Sequence, residues 1–378
     1  MKIAVLTTSR ADWGATGMVV KALGAVSPGG RHEIVPLAMA ASQKAHAHLL
    51  EAIRADGLPA PGSYWEATMG HMLVVAEGAL LSLSPDLLVL TGDRWEVMAW
   101  ALAAHQARIP IAHCAGGDVT MGSLDDGHRH AITKLSHLHF PTNHEALMRI
   151  VAMGEEPSRV HNVGSPLVDR IAQTPLLSLQ ETYEALDLAR AKVDGFIVIN
   201  WQPETNAANL NEGLVSILRI LRDLPLSLGI VLVGQNPDRG SPQAERMIDE
   251  YMELVRGVVP AVWHHSLNPV VYLSALKHCQ CLVGNSSSGI YEAPWFGTPV
   301  LNVGNRQKGR PRARCVMDFS AEGERGLTAV DIQLCKGRRS APARMFGDGH
   351  AARRIVDVLD KLGDASALLN KTFYEVPA

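Results

Sequence analysis

The chain is poor in three things, and each shortage excludes something. Cysteine is sparse, with five in 378 residues (Cys114, Cys279, Cys281, Cys315 and Cys335). That odd, thin set excludes a disulfide scaffold and suits a reducing compartment. Cys279 and Cys281 have no second pair at zinc-ribbon spacing and read as small residues leading into a strand. An excess of one charge is also missing. Lys plus Arg is 35 against 38 Asp plus Glu, a net charge of -3, so no overall field draws the chain onto nucleic acid or an acidic membrane surface. Long apolar runs are absent too. Nothing approaches the roughly 18 uninterrupted apolar residues of a membrane span, and Met1 to Leu6 meets Thr7, Thr8, Ser9 and Arg10 too early for a signal-peptide core. The expectation is a cytoplasmic protein with neither nucleic acid nor membrane as partner.

What is present is enough apolar material for large cores: hydrophobic residues make up 47% and charged residues 19%, which excludes general disorder. At roughly 100 to 200 residues per domain, the length predicts two domains. Short apolar runs at Lys2 to Leu6, Glu33 to Leu37, Asp86 to Leu90, Ile109 to His113, Leu138 to Phe140 and Arg159 to Val163 read as buried strands. Helical patterns lie between them, at Met18 to Ala25, Met72 to Leu83, Glu96 to Gln106 and Glu145 to Met153. The alternation restarts with Phe196 to Asn200, Ser227 to Val233, Ala261 to Trp263, Cys281 to Gly284 and Val300 to Val303. Strands alternating with helices predict α/β architecture, here two doubly wound, Rossmann-like domains facing across a cleft and joined around Ser165 to Leu179.

In such sheets ligands sit beyond the carboxyl ends of strands, so the residues after each run carry the chemistry. After the first run, Thr7-Thr8-Ser9-Arg10 opens a helix; hydroxyls, helix N–H groups and a guanidinium suit a diphosphate, and a plain N-cap with a surface Arg is the competing reading. Thr91-Gly92-Asp93-Arg94 sets a carboxylate beside a cation at another strand end. His113-Cys114-Ala115-Gly116-Gly117-Asp118 follows the next strand, and Asp125 and Arg129, four apart, share a face of the helix beyond it, either aimed at a ligand or as an ordinary surface ion pair. His128, His130, His137, His139 and His144 lack a tight carboxylate or cysteine partner, and no metal site or cofactor is expected. In the second half, Gly284-Asn285-Ser286-Ser287-Ser288-Gly289 aims hydroxyls and N–H groups at one anion, and Glu292 is placed to accept ribose hydroxyls. Then Arg306 to Arg314 brings five cations within nine residues; Arg306, followed by Arg310, is the expected phosphate contact.

These motifs resemble a known family, the hydrolysing UDP-N-acetylglucosamine 2-epimerases of sialic and legionaminic acid biosynthesis, with the wider non-hydrolysing 2-epimerases behind them. The resemblance covers nearly the whole chain. It rests on Ser9-Arg10-Ala11-Asp12, Gly92-Asp93-Arg94, Gly116-Gly117-Asp118-Val119, Arg129 to His137, Gly284-Asn285-Ser286-Ser287, Phe296 to Val300, Arg306-Gln307 and Phe346-Gly347-Asp348-Gly349. It implies a GT-B-type fold, a UDP-sugar as ligand, a homodimer, and a C-terminal helix returning to the first domain. The corresponding divisions are 1–168 for the N-terminal sugar-side domain, 169–354 for the nucleotide-binding domain and 355–378 for the returning helix. By position, Arg10, Ser286, Ser287, Glu292 and Arg306 match nucleotide-binding residues, and Asp93, Asp125 and Arg129 match residues important for the chemistry. Arg94, Gln202, Ser288 and Arg310 complete the expected binding set.

The implied reaction removes UDP from C1 as the C2 proton is lost, then adds water to the resulting glucal. Three departures bear on it. Ala115 stands where the sialic acid branch has Glu, Gln202 precedes Pro203 where the family has His, and Gln43 stands at the position of an early His. Ala transfers no proton, and neither does Gln at neutral pH. The changes remove acid-base groups and leave the nucleotide grip, with Asp118, His113, His130 and Asp126 as candidates for the lost role. The leading expectation is cleavage of a UDP-linked 2-acetamido sugar to UDP and free sugar, with or without epimerisation at C2. The alternatives are a GT-B glycosyltransferase-like enzyme, which never touches C2, and a non-catalytic nucleotide-sugar-binding homologue.

Overall fold

The computed structural model describes residues 1–26, 32–58, 61–234, 240–321, 323 and 325–376. It contains two parallel six-stranded sheets. The first is built from β1 (Lys2–Thr7), β2 (Glu33–Ala40), β3 (Gly62–Trp65), β4 (Leu87–Thr91), β5 (Ile111–Cys114) and β6 (Leu138–Phe140), in the order β3-β2-β1-β4-β5-β6. The second comprises β7 (Gly195–Asn200), β8 (Leu228–Val233), β9 (Ala261–His264), β10 (Leu282–Gly284), β11 (Val300–Val303) and β12 (Val316–Phe319), in the order β12-β11-β10-β7-β8-β9. Both are doubly wound: the winding reverses between β1 and β4 in one and between β7 and β10 in the other, which makes two topological switch points. The α/β fold class read from the sequence is therefore the observed one.

The chain divides into two compact units, one of Met1–Asp118, Asp125–Gln173 and Met345–Ala378, the other of Val119–Leu124 and Thr174–Arg344. In the first, helices α1 (Arg10–Val26), α2 (Gln43–Ala55), α3 (Met69–Leu83), α4 (Trp95–Gln106) and α5 (Asp125–Leu135) connect the strands, and α6 (His144–Ala152) follows β6. The strands are apolar at successive positions because helices cover both faces. Ile3 and Val5 pack with Leu23, Leu49, Ile53, Ile355 and Leu359 on one side, while Ala4 and Leu6 pack with Leu80, Trp100 and Ala104 on the other. Burying each large apolar side chain contributes about 1.5–3 kcal/mol. The second unit repeats the scheme: Ile197 and Ile199 meet Leu214, Ile217 and Ile248, and Phe196 and Val198 meet Ala275 and Leu276.

The helix Ala351–Leu359 belongs to the first unit. Its first N–H groups, on Ala351 and Ala352, donate to the two carboxylate oxygens of buried Asp169 at 2.8 and 2.7 Å. A carboxylate at a helix start complements the helix dipole, while burial raises the Asp169 carboxyl above its ordinary range.

The expected strand at Arg159 to Val163 does not form. Pro157–Arg159 is a single 3-10 turn, set by the ring of Pro157, and Val160 makes only an isolated bridge to His139. Two edge strands, β3 and β12, carry no continuous apolar run and are only partly buried, so no buried-strand pattern marks them. Among the described residues no helix is long and apolar enough to cross a membrane.

Candidate active site

At the first switch point, β1 ends in Thr7 and the chain turns through Thr8 and Ser9 into α1, while β4 ends in Thr91 and leads to Gly92, Asp93 and Arg94. Asp12 ties the first loop together. Its carboxylate accepts from the hydroxyls of Thr8 and Ser9 at 2.8 and 2.7 Å, and its N–H donates back to Ser9 Oγ at 3.0 Å. Burial raises the Asp12 carboxyl, with the charge of Arg94 and the two hydroxyls pulling the other way. Gly92, at φ +85°, lies beside this carboxylate and takes a left-handed turn that favours glycine. Arg10 is the exposed first residue of α1. Arg94 caps α4, and its guanidinium forks onto Glu96, which is 1% exposed, through Nε and Nη2 at 3.2 and 3.1 Å.

Arg129, the central cation of this unit, projects from α5 and is 2% exposed. Its guanidinium bonds the Asp93 carboxylate, the Asp126 carboxylate at 3.1 Å and the backbone carbonyl of Asp118 at 3.0 Å. Burial opposes its charge, yet Asp93, Asp118 and Asp126 outweigh that and hold its pKa above the ordinary arginine value. The carboxylates are reachable where the guanidinium is not: Asp93 is 23%, Asp126 28% and Asp125 36% exposed. Asp125 begins α5 with His128 Nδ1 at 3.8 Å, and Asp126 has His130 Nε2 at 3.7 Å. Two acids, Asp93 and Asp126, and the Asp118 carbonyl thus hold one buried arginine, while His128 and His130 lie beside Asp125 and Asp126.

The other candidates named from the sequence divide clearly. His113 is fully buried, with Nε2 2.8 Å from the Gly92 carbonyl and Nδ1 3.3 Å from Thr133 Oγ1. Burial pushes its pKa down to about 4, so it is a neutral structural imidazole. Asp118 is buried and accepts from Asn143 Nδ2 at 2.9 Å. Gly116 and Gly117 do permit close approach, but to the protein itself. A Cβ on Gly116 would lie 2.8 Å from His113 Nδ1 and Thr133 Oγ1, and one on Gly117 would strike the Ala146 carbonyl of α6. Ala115 sits at φ +65° after β5, and Gln43 is exposed at the start of α2.

At the second switch point, a lattice of amides joins the ends of β7 and β10. Gln202 N–H donates to Asn285 Oδ1 at 2.7 Å, and Asn285 Nδ2 returns a bond to the Gln202 carbonyl at 2.8 Å. Gln202 Nε2 donates to Asn200 Oδ1 at 3.0 Å, and Asn200 Nδ2 to the Tyr272 hydroxyl at 2.9 Å. Gln307 Nε2 reaches the Asn285 carbonyl at 2.9 Å, and Arg310 Nη1 the Gln307 side-chain oxygen at 2.7 Å, with the guanidinium over the Tyr291 ring. Ser286 Oγ accepts from Ser288 N–H at 3.3 Å and donates to Ser288 Oγ at 3.2 Å. Ser287 caps the four-residue helix Ser288–Tyr291, which Glu292 closes. The loop of Arg306 is fixed by Glu204, whose Oε1 accepts the N–H groups of Asn305 and Arg306 at 2.5 and 2.8 Å.

Sequence reasoning passed over Glu96 and Glu204, the acids that hold Arg94 and the Arg306 loop. A Glu two residues from an Arg at a helix start was the available signal for the first; nothing local marks Glu204, which acts on residues 101 and 102 positions away. Among the described residues no group of three or more His, Cys, Asp and Glu is arranged to hold a metal ion.

Comparison with known proteins agrees with this fold. Residues 39–360 match the model of the family described as UDP-N-acetylglucosamine 2-epimerase. The chain is 30% identical to the UDP-N,N'-diacetylbacillosamine 2-epimerase (hydrolyzing) of Legionella pneumophila, over 80% of this chain and 78% of that protein. It is 33% identical to the GDP/UDP-N,N'-diacetylbacillosamine 2-epimerase (hydrolyzing) of Campylobacter jejuni over 64% of this chain, a match that spans 62% of the relative's length. Its fold is similar to that of UDP-GlcNAc 2-epimerase from Methanocaldococcus jannaschii in complex with UDP-GlcNAc and UDP, with a TM-score of 0.77 at 19% identity over 95% of this chain and 99% of that one. By the family match over most of its length, the chain belongs to the UDP-N-acetylglucosamine 2-epimerase family.

Proposed function

We propose that the protein cleaves a UDP-linked 2-acetamido sugar to UDP and the free sugar, with or without inversion at C2. The observation that carries this reading is the pairing of Asp93 and Asp126 with buried Arg129, on a helix that begins at Asp125, in a member of a family whose relatives are named as hydrolysing 2-epimerases. A C2 hydrogen beside an acetamido group is not acidic. Departure of the diphosphate must run ahead and leave oxocarbenium character, so the reaction needs cations on the diphosphate and carboxylates near C1 and C2.

Arg10, Ser286, Ser287, Ser288, Arg306 and Arg310 bind the diphosphate in this account, Glu292 accepts the ribose hydroxyls, and Gln202 and Arg94 complete the binding set. Asp93 and Asp125 handle protons at the sugar, and Arg129 holds Asp93 in place. Asp126, paired with His130, is the acid-base couple that stands in for the glutamate absent at Ala115. The same reading makes the protein a cytoplasmic homodimer in sialic or legionaminic acid synthesis. A GT-B glycosyltransferase-like reaction is the second reading, favoured by Ala115 and Gln202, which remove groups that only C2 chemistry uses. Nucleotide release measured with a panel of UDP-sugars, with and without acceptor sugars, separates the two: hydrolysis needs no acceptor, and transfer does.

A further inference from the structure

Helix α5 carries site residues at one end and is gripped at the other by the C-terminal segment of the chain, and all of these residues lie in the first unit. A helix end leaves backbone carbonyls without partners inside the helix. At the end of α5 the carbonyls of Lys134 and Ser136 both accept from Lys371 Nζ, each at 2.6 Å. The same ammonium lies 2.8 Å from Glu155 Oε2, so its three N–H donors are all engaged. Glu155, 1% exposed, also takes Lys134 Nζ at 2.6 Å, and Lys134 Nζ donates to the Met153 carbonyl, where α6 closes, at 2.9 Å. A cation on the last carbonyls complements the helix dipole.

Lys371 is itself held in place. Arg159 donates through Nη1 and Nη2 to the carbonyls of Leu368 and Asn370 at 2.6 and 2.8 Å, and Tyr374 N–H donates to the Gly154 carbonyl at 2.9 Å. Phe373 packs on Gly154, where a Cβ would strike its ring, and the Lys134 ammonium lies 5.1 Å from the centre of that ring. The first turn of α5 holds Asp125 and Asp126, and the next turn Arg129, whose guanidinium bonds Asp93 and the Asp118 carbonyl. At 1.5 Å per residue, Asp126 and Lys134 are only about 12 Å apart along a rigid rod. We propose that Lys371 is a positioning residue: it pins the last turn of α5 and thereby sets where the first two turns present Asp125, Asp126 and Arg129. The inference rests on the proposed function, which assigns those residues to the chemistry at the sugar. A shift of about 1 Å at a reacting group can cost about 100-fold in rate, so the effect falls on kcat.

Lys371→Met keeps the stem and removes the ammonium. Three quantities are measured on the full chain: hydrogen exchange of the 129–131 amides, which bond the carbonyls of 125–127 in an α-helix; kcat and KM for UDP release; and UDP affinity by calorimetry. Exchange at 129–131 is expected to speed up, and kcat to fall, by at least about tenfold each, with KM and UDP affinity held within about threefold. In Lys371→Ala, added propylammonium restores both quantities, and propanol, which lacks the charge, restores neither. The proposal is overturned if Lys371→Met leaves either the exchange or kcat unchanged, or if KM and UDP affinity worsen together with kcat. Should Lys371→Met fail to fold, Arg159→Gln, which loosens the segment from one side, decides: changes of at least about threefold in exchange and kcat support the role, and unchanged values overturn it. A wild-type chain that releases no UDP from any 2-acetamido sugar would overturn the proposed function instead, and the exchange measurement then decides alone whether Lys371 fixes the first turns of α5.

Discussion

Arg129 and Asp93 form an ion pair across 36 residues of sequence, the guanidinium nearly sealed from solvent and the carboxylate partly open to it. The asymmetry defines the roles. A buried, multiply bonded cation is held in place and orients the acid, while the acid keeps part of its surface open to solvent.

Asp93→Asn retains the shape and removes the charge. Turnover is expected to fall by about 100-fold or more, as for loss of a positioned acid-base group, with UDP affinity within about threefold. Arg129→Lys loses the planar fork that serves Asp93, Asp126 and the Asp118 carbonyl together, and is expected to lower both turnover and stability, by about 2–4 kcal/mol for the latter. Steady-state kinetics and urea unfolding of the two variants check this, and an Asp93→Asn enzyme of normal kcat would contradict it.

Arg306→Met and Arg10→Met are expected to act the other way. A charge-assisted hydrogen bond contributes about 1.5–3 kcal/mol, so UDP affinity should weaken by about 10- to 100-fold in each, as measured by calorimetry. Unchanged affinity in both would remove these residues from the diphosphate site.

Ala115→Glu puts a carboxylate back at the end of β5. Position 115 already holds a residue with a Cβ at φ +65°, so the exchange adds little backbone strain. In deuterated water the fraction of released sugar labelled at C2 is expected to rise relative to wild type. An unchanged fraction would mean that Ala115 is not where proton transfer was lost.

Acid should weaken the fold in a defined window. His113 and His137 are both pushed down to about 4, chiefly by burial, so they stay neutral in the folded chain while the unfolded chain takes up two protons below about pH 6.5. Stability is present above that pH and is lost as it falls towards 4, with a slope near pH 5 of at least about 2–3 kcal/mol per pH unit. Glu155, 1% exposed and bonded to His139, Lys134 and Lys371, extends the loss. Burial raises its pKa, but these partners prevail and hold it at about 2, so its contribution fades between about pH 4.5 and 2. Urea unfolding from pH 7 to 4.5 checks the first part; constant stability over that range would contradict it.

The sequence carried the interior of the fold and lost its margins. Runs such as Asp86 to Leu90 and Phe196 to Asn200 are apolar without a break because helices cover both faces of the sheet, and they stand out unaided. The edge strands Gly62–Trp65 and Val316–Phe319 are half-exposed and leave no such mark. The site behaves similarly. Asp93 and the serines are legible as chemistry at strand ends, which the observed strand orders bring to the two switch points, and Arg129 by its spacing of four from Asp125 on one helix. The supports of these groups are not legible, because they are tertiary: Glu204 reaches the Arg306 loop across about a hundred residues, and the close packing at Gly117 is against the protein's own Ala146.

The central claim is tested most directly by incubating the protein with UDP-linked 2-acetamido sugars in deuterated water and following nucleotide and sugar by NMR. UDP and a free sugar are expected to be released from at least one of them without any acceptor, with deuterium at C2 wherever epimerisation accompanies cleavage. Tight UDP binding with no release from any of these sugars, or release only when an acceptor is supplied, would contradict it.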